Sequence, residues 1–338
     1  MIKKIGILLL VALLGMGLIM VTGCNQASSS GSSTTAYTPP TGVTSVDAGV
    51  SGLSRSGNTI SFNYSLINAA NNQPIAAIGD LGTGNLQITV KITSETSSQT
   101  GTVTGVTKVT GSSSAPISVA MTLDRSGSMS TTSNSSLETA ASAFVDLMKT
   151  TDLGAIINFG VDIKIDQGLT GNKDLLKNAI TQETVAYTGG TALFDSICTA
   201  VSTAAAGSNS RKAVIAMTDG GENASSNYTT TGEVIAFAGQ HSVPVFTIGL
   251  GLDPISYPDD ITNLQAIATG TGGIFFSAPA ATDLVALYNS ISSALSNYFT
   301  VTFTSPITLV TGTQYTITID LVSYGGITKT VTLVYTAI

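Results

Sequence analysis

Charge is scarce in this chain: of 338 residues, Asp, Glu, Lys and Arg together make up 10%, with 13 Lys and Arg against 20 Asp and Glu. No run of Lys or Arg offers a surface that tracks phosphates, and the net charge of −7 opposes one. A nucleic-acid partner is thereby excluded. Histidine is almost missing. His241, the only one, precedes a predicted strand, has no partner in the sequence and reads as structural. With two cysteines, Cys24 and Cys198, the chain is no disulfide scaffold and must rely on burying a core.

What the chain has instead is Ser, Thr and 35 Gly within a sequence that is 43% hydrophobic, a balance that suits an extracellular β-rich protein. Its length predicts a large α/β domain together with a smaller β-rich unit. The first residues read as an export signal: Lys3 and Lys4 precede an uncharged apolar run from Ile5 to Val21. That run is slightly short of the roughly 20 residues that span a bilayer as a helix, so length alone leaves cleavage and anchoring open. Val21-Thr22-Gly23-Cys24 then resembles the lipobox of bacterial lipoproteins. The resemblance implies cleavage after residue 23 and acylation of Cys24, that is, a palmitate-type lipid anchor in the membrane. Removing residues 1–23 takes away two lysines and no acid, so what remains is more acidic still. Cys198 is then left without a partner and reads as a small buried hydrophobe.

Residues 24–41, rich in Ser, Gly and Thr and closed by Pro39-Pro40, read as a flexible tether with a reach of roughly 20–25 Å. Residues 42–114 show no helical period. They carry alternating segments, Thr59 to Leu66 and Leu86 to Ile92, that read as strands. Residues 299–338 behave alike, with strands over Phe299 to Phe303, Tyr315 to Leu321 and Lys329 to Tyr335. Neither flank closes a sandwich alone, so the two are expected to pair across the central domain into one composite β-sandwich. Between them, residues 115–298 alternate short apolar runs with helical stretches, which predicts an α/β domain with a doubly wound, mostly parallel sheet. Expected strands are Ile117 to Leu123, Gly154 to Phe159, Val161 to Ile165, Ala213 to Met217, Pro244 to Ile248 and Gly273 to Phe276. Expected helices are Leu137 to Lys149, Asp174 to Ile180, Ala192 to Ala205, Thr231 to Gly239, Ile261 to Ala268 and Thr282 to Leu295.

In open α/β sheets, ligands sit outside the carboxyl ends of the strands, so polar residues there carry the functional information. Asp124-Arg125-Ser126-Gly127-Ser128 follows the first of these strands, Gly189-Gly190-Thr191 opens a helix, and Thr218-Asp219-Gly220 ends the fourth strand. Taken singly, each is also a good turn or cap. Together they offer hydroxyls and carboxylates with no Cys or His, a hard oxygen set that suits Mg²⁺, Mn²⁺ or Ca²⁺ rather than zinc or copper.

Their order, spacing and strand context resemble the metal-ion-dependent adhesion site of von Willebrand factor A domains, over about Ala115 to Tyr298. The family's Asp-x-Ser-x-Ser motif falls on Asp124, Ser126 and Ser128, its threonine on Thr191 and its second aspartate on Asp219. The resemblance implies that Ser126, Ser128 and Thr191 bind the ion directly while Asp124 and Asp219 act largely through water. It also implies that an Asp or Glu of a protein ligand completes the coordination. The function so implied is metal-dependent adhesion at the cell envelope, on the outer face of a bacterial membrane. A scaffold or assembly component of an envelope complex is the alternative.

An enzyme is not expected, because hydrolysis needs a general base near the ion. Glu222 is the only nearby candidate, and it reads as turn or helix entry. Arg125 is expected to point out of the metal loop toward the ligand. Asp253, Asp259 and Asp260 cluster in a loop on the same rim and offer a second cation or ligand contact, or a solvated loop. Gly249-Leu250-Gly251 lacks the Lys and third Gly of a phosphate cradle and reads as a plain loop.

Overall fold

The computed structural model describes residues 37–77, 79–181 and 189–338. The expected export signal, Cys24 and most of the tether lie outside these residues. The described chain forms strands β1 (Val46–Ser56), β2 (Thr59–Asn68), β3 (Gln73–Pro74), β4 (Leu86–Ile92), β5 (Gln99–Val109) and β6 (Ile117–Asp124). Helix α1 (Thr131–Leu147) leads to β7 (Leu153–Phe159), β8 (Ile163–Thr170), α2 (Lys173–Thr181), α3 (Leu193–Ala205) and β9 (Arg211–Thr218). Then come α4 (Thr231–His241), β10 (Val245–Leu250), α5 (Pro258–Thr271), β11 (Phe275–Ala278) and α6 (Leu284–Ser296). Strands β12 (Tyr298–Thr304), β13 (Gln314–Tyr324) and β14 (Ile327–Thr336) complete the chain.

The central segment builds a six-stranded sheet in the order β11-β10-β9-β6-β7-β8. Its neighbours run parallel except at the edge, where β8 returns antiparallel to β7. That return follows a tight turn in which the Gly160 N–H donates to the carbonyl of Asp162, so the strand starts at Ile163 rather than at Val161. Every residue of β6 is buried, as a strand covered on both faces requires. Val119, Met121 and Leu123 pack with α1, α2 and α6, while Ala120 packs on the opposite side with α3, α4 and α5. Helix α1 begins six residues before the expected Leu137, because Ser130 caps it by accepting from the Ser133 N–H at 3.0 Å.

The two flanks make an eight-stranded antiparallel sheet in the order β1-β2-β12-β5-β4-β13-β14, with β3 beside β2. The expected pairing of the flanks is met in part: β12 sits between β2 and β5, and β13 pairs with β4, in one continuous sheet. Phe62, Tyr64, Ile88, Phe299, Ile317 and Leu333 meet in a single apolar core. The first and last strands in the order are tied by the Lys329–Asp47 ion pair at 2.7 Å. Strands β1 and β5 escaped the sequence reading. The first is interrupted by Gly49 and Gly52, and the second is a Thr- and Gly-rich strand with no buried residue.

Helix α4 lies directly on this second sheet. A Cβ on Gly239 would sit 2.7 Å from the carbonyl oxygen of Val334 in β14, so only glycine allows so close an approach.

Candidate metal centre

Because β6 lies beside β9, with Leu123 opposite Met217, Asp124 and Thr218 leave the sheet side by side at its carboxyl edge. Asp124 is wholly buried. One of its carboxylate oxygens accepts from the Ser126 N–H at 2.7 Å and the other from the Thr218 hydroxyl at 2.5 Å. A turn closed by the Met129 N–H on the Ser126 carbonyl at 3.1 Å brings the two serines together. Ser126 Oγ and Ser128 Oγ lie 3.1 Å apart, and Ser128 donates to Asp219 Oδ1 at 2.6 Å. Four of the five expected residues therefore form one connected oxygen cluster.

Thr191 is placed by its backbone. Its N–H donates to Asn223 Oδ1 at 2.8 Å, and its carbonyl accepts from the N–H groups of Asn223 at 3.1 Å and Ala224 at 3.3 Å. The next N–H, of Ala192, reaches the carbonyl of Gly160 at 2.8 Å. Thr191 thus stands between the loop after β7 and the loop after β9, on the rim that carries Asp219. Gly190 leaves room for this contact, since a Cβ there would lie 2.2 Å from Asn223 Oδ1. Among the described residues the Thr191 hydroxyl makes no hydrogen bond to the other four.

The electrostatics of this cluster are uncompensated. Burial pushes the Asp124 carboxyl up to about 6, against the hydrogen bonds from Ser126 and Thr218, and the Asp219 charge adds to the effect. Burial also raises Asp219, although the bond from Ser128 opposes it. Neither carboxylate has a basic partner among the described residues. One buried and one half-buried acid, faced by hydroxyls and N–H groups, form a site that gains from a cation. The spacing fits as well: an octahedral Mg²⁺ with oxygens at about 2.1 Å has neighbouring oxygens roughly 3.0 Å apart. The observed contacts of 3.1 and 2.6 Å bracket that edge.

Residues 118–290, about half of the chain, match the von Willebrand factor type A domain. The chain belongs to this family. A search of curated proteins found no match. Among solved structures, the chain is similar to proximal thread matrix protein 1 from the mussel byssus with a zinc-occupied MIDAS motif, at 18% identity and a TM-score of 0.46. That match covers 54% of this chain and 48% of the mussel protein, so the chain spans about half the length of that relative. It is also similar to the vWF domain of the type V pili tip protein Mfa5 from Porphyromonas gingivalis (15% identity, TM-score 0.45), over 53% of this chain and 94% of that one. A von Willebrand factor type A protein from Catenulispora acidiphila matches at 11% identity and a TM-score of 0.45, over 86% of this chain and 73% of its own.

Within the A-type domain, Arg125 departs from expectation. It does not point toward a ligand; its side chain is 1% exposed. Its guanidinium donates to Asn158 Oδ1 and Asn134 Oδ1, both at 3.0 Å, to Glu138 at 2.9 Å and to the Ile180 carbonyl at 2.5 Å. It joins β6, β7, α1 and α2 beneath the loop of Ser126 and Ser128.

Sequence reading missed the network that holds the rim. Glu222 does serve helix entry, but of α3: it accepts from the Phe194 N–H at 2.7 Å and from the N–H groups of Ala224 and Ser225 at 2.8 and 2.6 Å. Asp195, in the first turn of α3, accepts from the N–H groups of Ser226 at 2.9 Å and Tyr228 at 2.8 Å and from both nitrogens of Asn227. Partial burial alone would raise its pKa, but these donors outweigh it and hold the carboxyl below the ordinary carboxylate range. Such a group stabilises the fold above about pH 4, and the contribution is lost as pH falls through the depressed value. Asp195→Asn should therefore lower stability by about 1–3 kcal/mol at neutral pH. Unfolding midpoints of the two proteins, followed downward from neutral pH, should converge under acid.

The remaining candidates resolve simply. Asp253 closes its own loop by accepting from the N–H groups of Ile255 and Ser256, both at 3.0 Å, and Asp259 and Asp260 open α5. Among the described residues no three or more His, Cys, Asp or Glu come together as a group that could hold a metal ion, at these acids or elsewhere. Gly249 and Leu250 end β10, and Gly251 begins the loop. His241 packs on the Phe237 ring, with centroids 4.7 Å apart. Cys198 is buried in the core of α3, which pushes its thiol up.

Proposed function

We propose that this chain is a binding module that holds a divalent cation of the Mg²⁺ type and, through it, the Asp or Glu of a protein ligand. One observation carries the reading: a buried carboxylate, Asp124, and a half-buried one, Asp219, neither with a basic partner among the described residues, are linked through two serine hydroxyls into one oxygen cluster. Ser126, Ser128 and Thr191 would contribute hydroxyls to the ion, with Asp124 and Asp219 behind or beside them. The ion supplies a Lewis-acidic position for an incoming carboxylate. With neutral hydroxyls as its nearest protein ligands, it keeps most of its charge for that group.

No turnover is part of this reading. The acid nearest in sequence to Asp219, Glu222, is engaged by N–H and hydroxyl donors of its own loop and of α3. The reading is tested with Mn²⁺ as probe, through the relaxation of water protons at the bound ion. A peptide with a central Asp should displace bound water and lower the relaxation rate, and its Asn counterpart should not. Equal effects of the two peptides would contradict carboxylate capture.

The proposal extends to location. Lys3, Lys4, the apolar run from Ile5 to Val21 and the Val21-Thr22-Gly23-Cys24 sequence support a lipid on Cys24 that tethers the protein to the outer face of a bacterial membrane. No helix among the described residues is long and apolar enough to cross a membrane. Cys24→Ser should move the protein from the detergent phase to the aqueous phase, and a variant still held in membranes would contradict the anchor.

A further inference from the structure

We propose that the partner presents its carboxylate beside an apolar and a basic side chain, and that the loop between β10 and α5 reads both; this rests on the cation reading above.

Strand β10 lies beside β9, with Gly249 opposite Thr218, so its loop leaves the sheet on the rim that carries Asp219. The loop ends at that rim as well: Asp260, in the first turn of α5, packs on Gly221, where a Cβ would fall 2.0 Å from its carboxylate. The tip carries Ile255, 92% exposed, and Tyr257, 43% exposed. Single exposed apolar residues are common and carry no meaning alone. This one is held in place. Asp253 accepts from the N–H groups of Ile255 and Ser256 and, through its carbonyl, from the Tyr257 N–H at 3.0 Å. Leu252, at 5% exposure, anchors the base of the loop. An apolar side chain displayed by an ordered loop loses little further freedom on contact. On the Thr191 side of the site, Val161 is 49% exposed and packs against Gly189. The cation site is thus flanked by exposed apolar groups.

Charge specifies the rest. Between Lys212 and Lys329 the sequence contains no Lys or Arg, while the loop carries Asp253 and the first turn of α5 carries Asp259 and Asp260. A divalent cation would offset Asp124 and Asp219, which leaves the three acids beyond β10 with no basic partner among the described residues. A wholly acidic partner is repelled there, whereas one with Lys or Arg beside its Asp or Glu is attracted.

The test uses three capped peptides, Lys-Leu-Asp-Leu-Lys, Glu-Leu-Asp-Leu-Glu and Lys-Ser-Asp-Ser-Lys, titrated into the full chain with saturating Mg²⁺. The first should bind about tenfold more tightly than either of the others. Ile255→Ser should erase the advantage of Leu over Ser. Asp259→Asn should narrow that of Lys over Glu, and both variants should keep the cation affinity because neither residue belongs to the oxygen cluster. Equal binding of the three peptides, or binding of none, overturns the inference. A parallel Mg²⁺ titration tells the two failures apart: if the cation still binds, only the reading of the flanks falls, and if it does not, the underlying site falls with it.

Discussion

Replacing Arg125 by Met is expected to lower stability by about 3–5 kcal/mol, the usual cost of removing one partner from a buried ion pair. The side chain is wholly buried and donates to three side chains and one carbonyl. Methionine fills much of the volume but leaves Glu138, Asn134, Asn158 and the Ile180 carbonyl without their donor. Each unsatisfied group costs on the order of 1–3 kcal/mol, and part of that is recovered where water reaches Glu138. The midpoint of thermal unfolding should fall by about 10 °C. The alternative, in which Arg125 reaches a ligand, predicts the reverse pattern: an unchanged midpoint and weakened binding. Differential scanning calorimetry of the two proteins decides between them.

Asp124→Asn is expected to act in opposite directions on the two states of the site. In chelator at pH 7.5 the variant should be more stable than wild type. The wild-type carboxyl, raised from 3.8 to about 6, destabilises the fold when charged. That cost is absent below the unfolded value near pH 4 and grows as pH rises through about 6, to on the order of 2–3 kcal/mol. Asparagine keeps the bond from the Ser126 N–H and can donate to Thr218 Oγ1. The Thr218 hydroxyl then turns to the Gly220 carbonyl, which already lies 2.9 Å away. With Mg²⁺ the order should invert, because the ion stabilises only the protein that has the second carboxylate. A variant less stable than wild type in chelator would show that the Asp124 charge is compensated in some other way.

The site was legible where it follows from strand ends. Asp124 closes β6 and Asp219 directly follows β9, at the carboxyl ends of adjacent strands, and apolar runs in the sequence locate those ends. Arg125 was misread although a signal was present. Residues alternate across a strand, so Arg125 continues the face of Val119, Met121 and Leu123 that packs under α1. Its N–H extends the sheet by donating to the Phe159 carbonyl at 2.6 Å. Asn158 within an apolar strand, and Asn134 and Glu138 one helical turn apart, mark where its donors go. No such signal exists for Asp195, whose partners at 226–228 are more than thirty residues away and are brought to it only by the packing of α3 beside β9. The interleaving of β2, β12, β5, β4 and β13 is likewise set by long-range pairing. The flanks showed alternation, which identifies strands but not their neighbours.

Calorimetric titration of Mg²⁺ into the wild-type protein, beside Asp124→Ala, tests the cation site most directly. Saturable binding of one ion by wild type and none by the variant is the predicted result. Equal heats from the two proteins, or no binding by wild type, would contradict it.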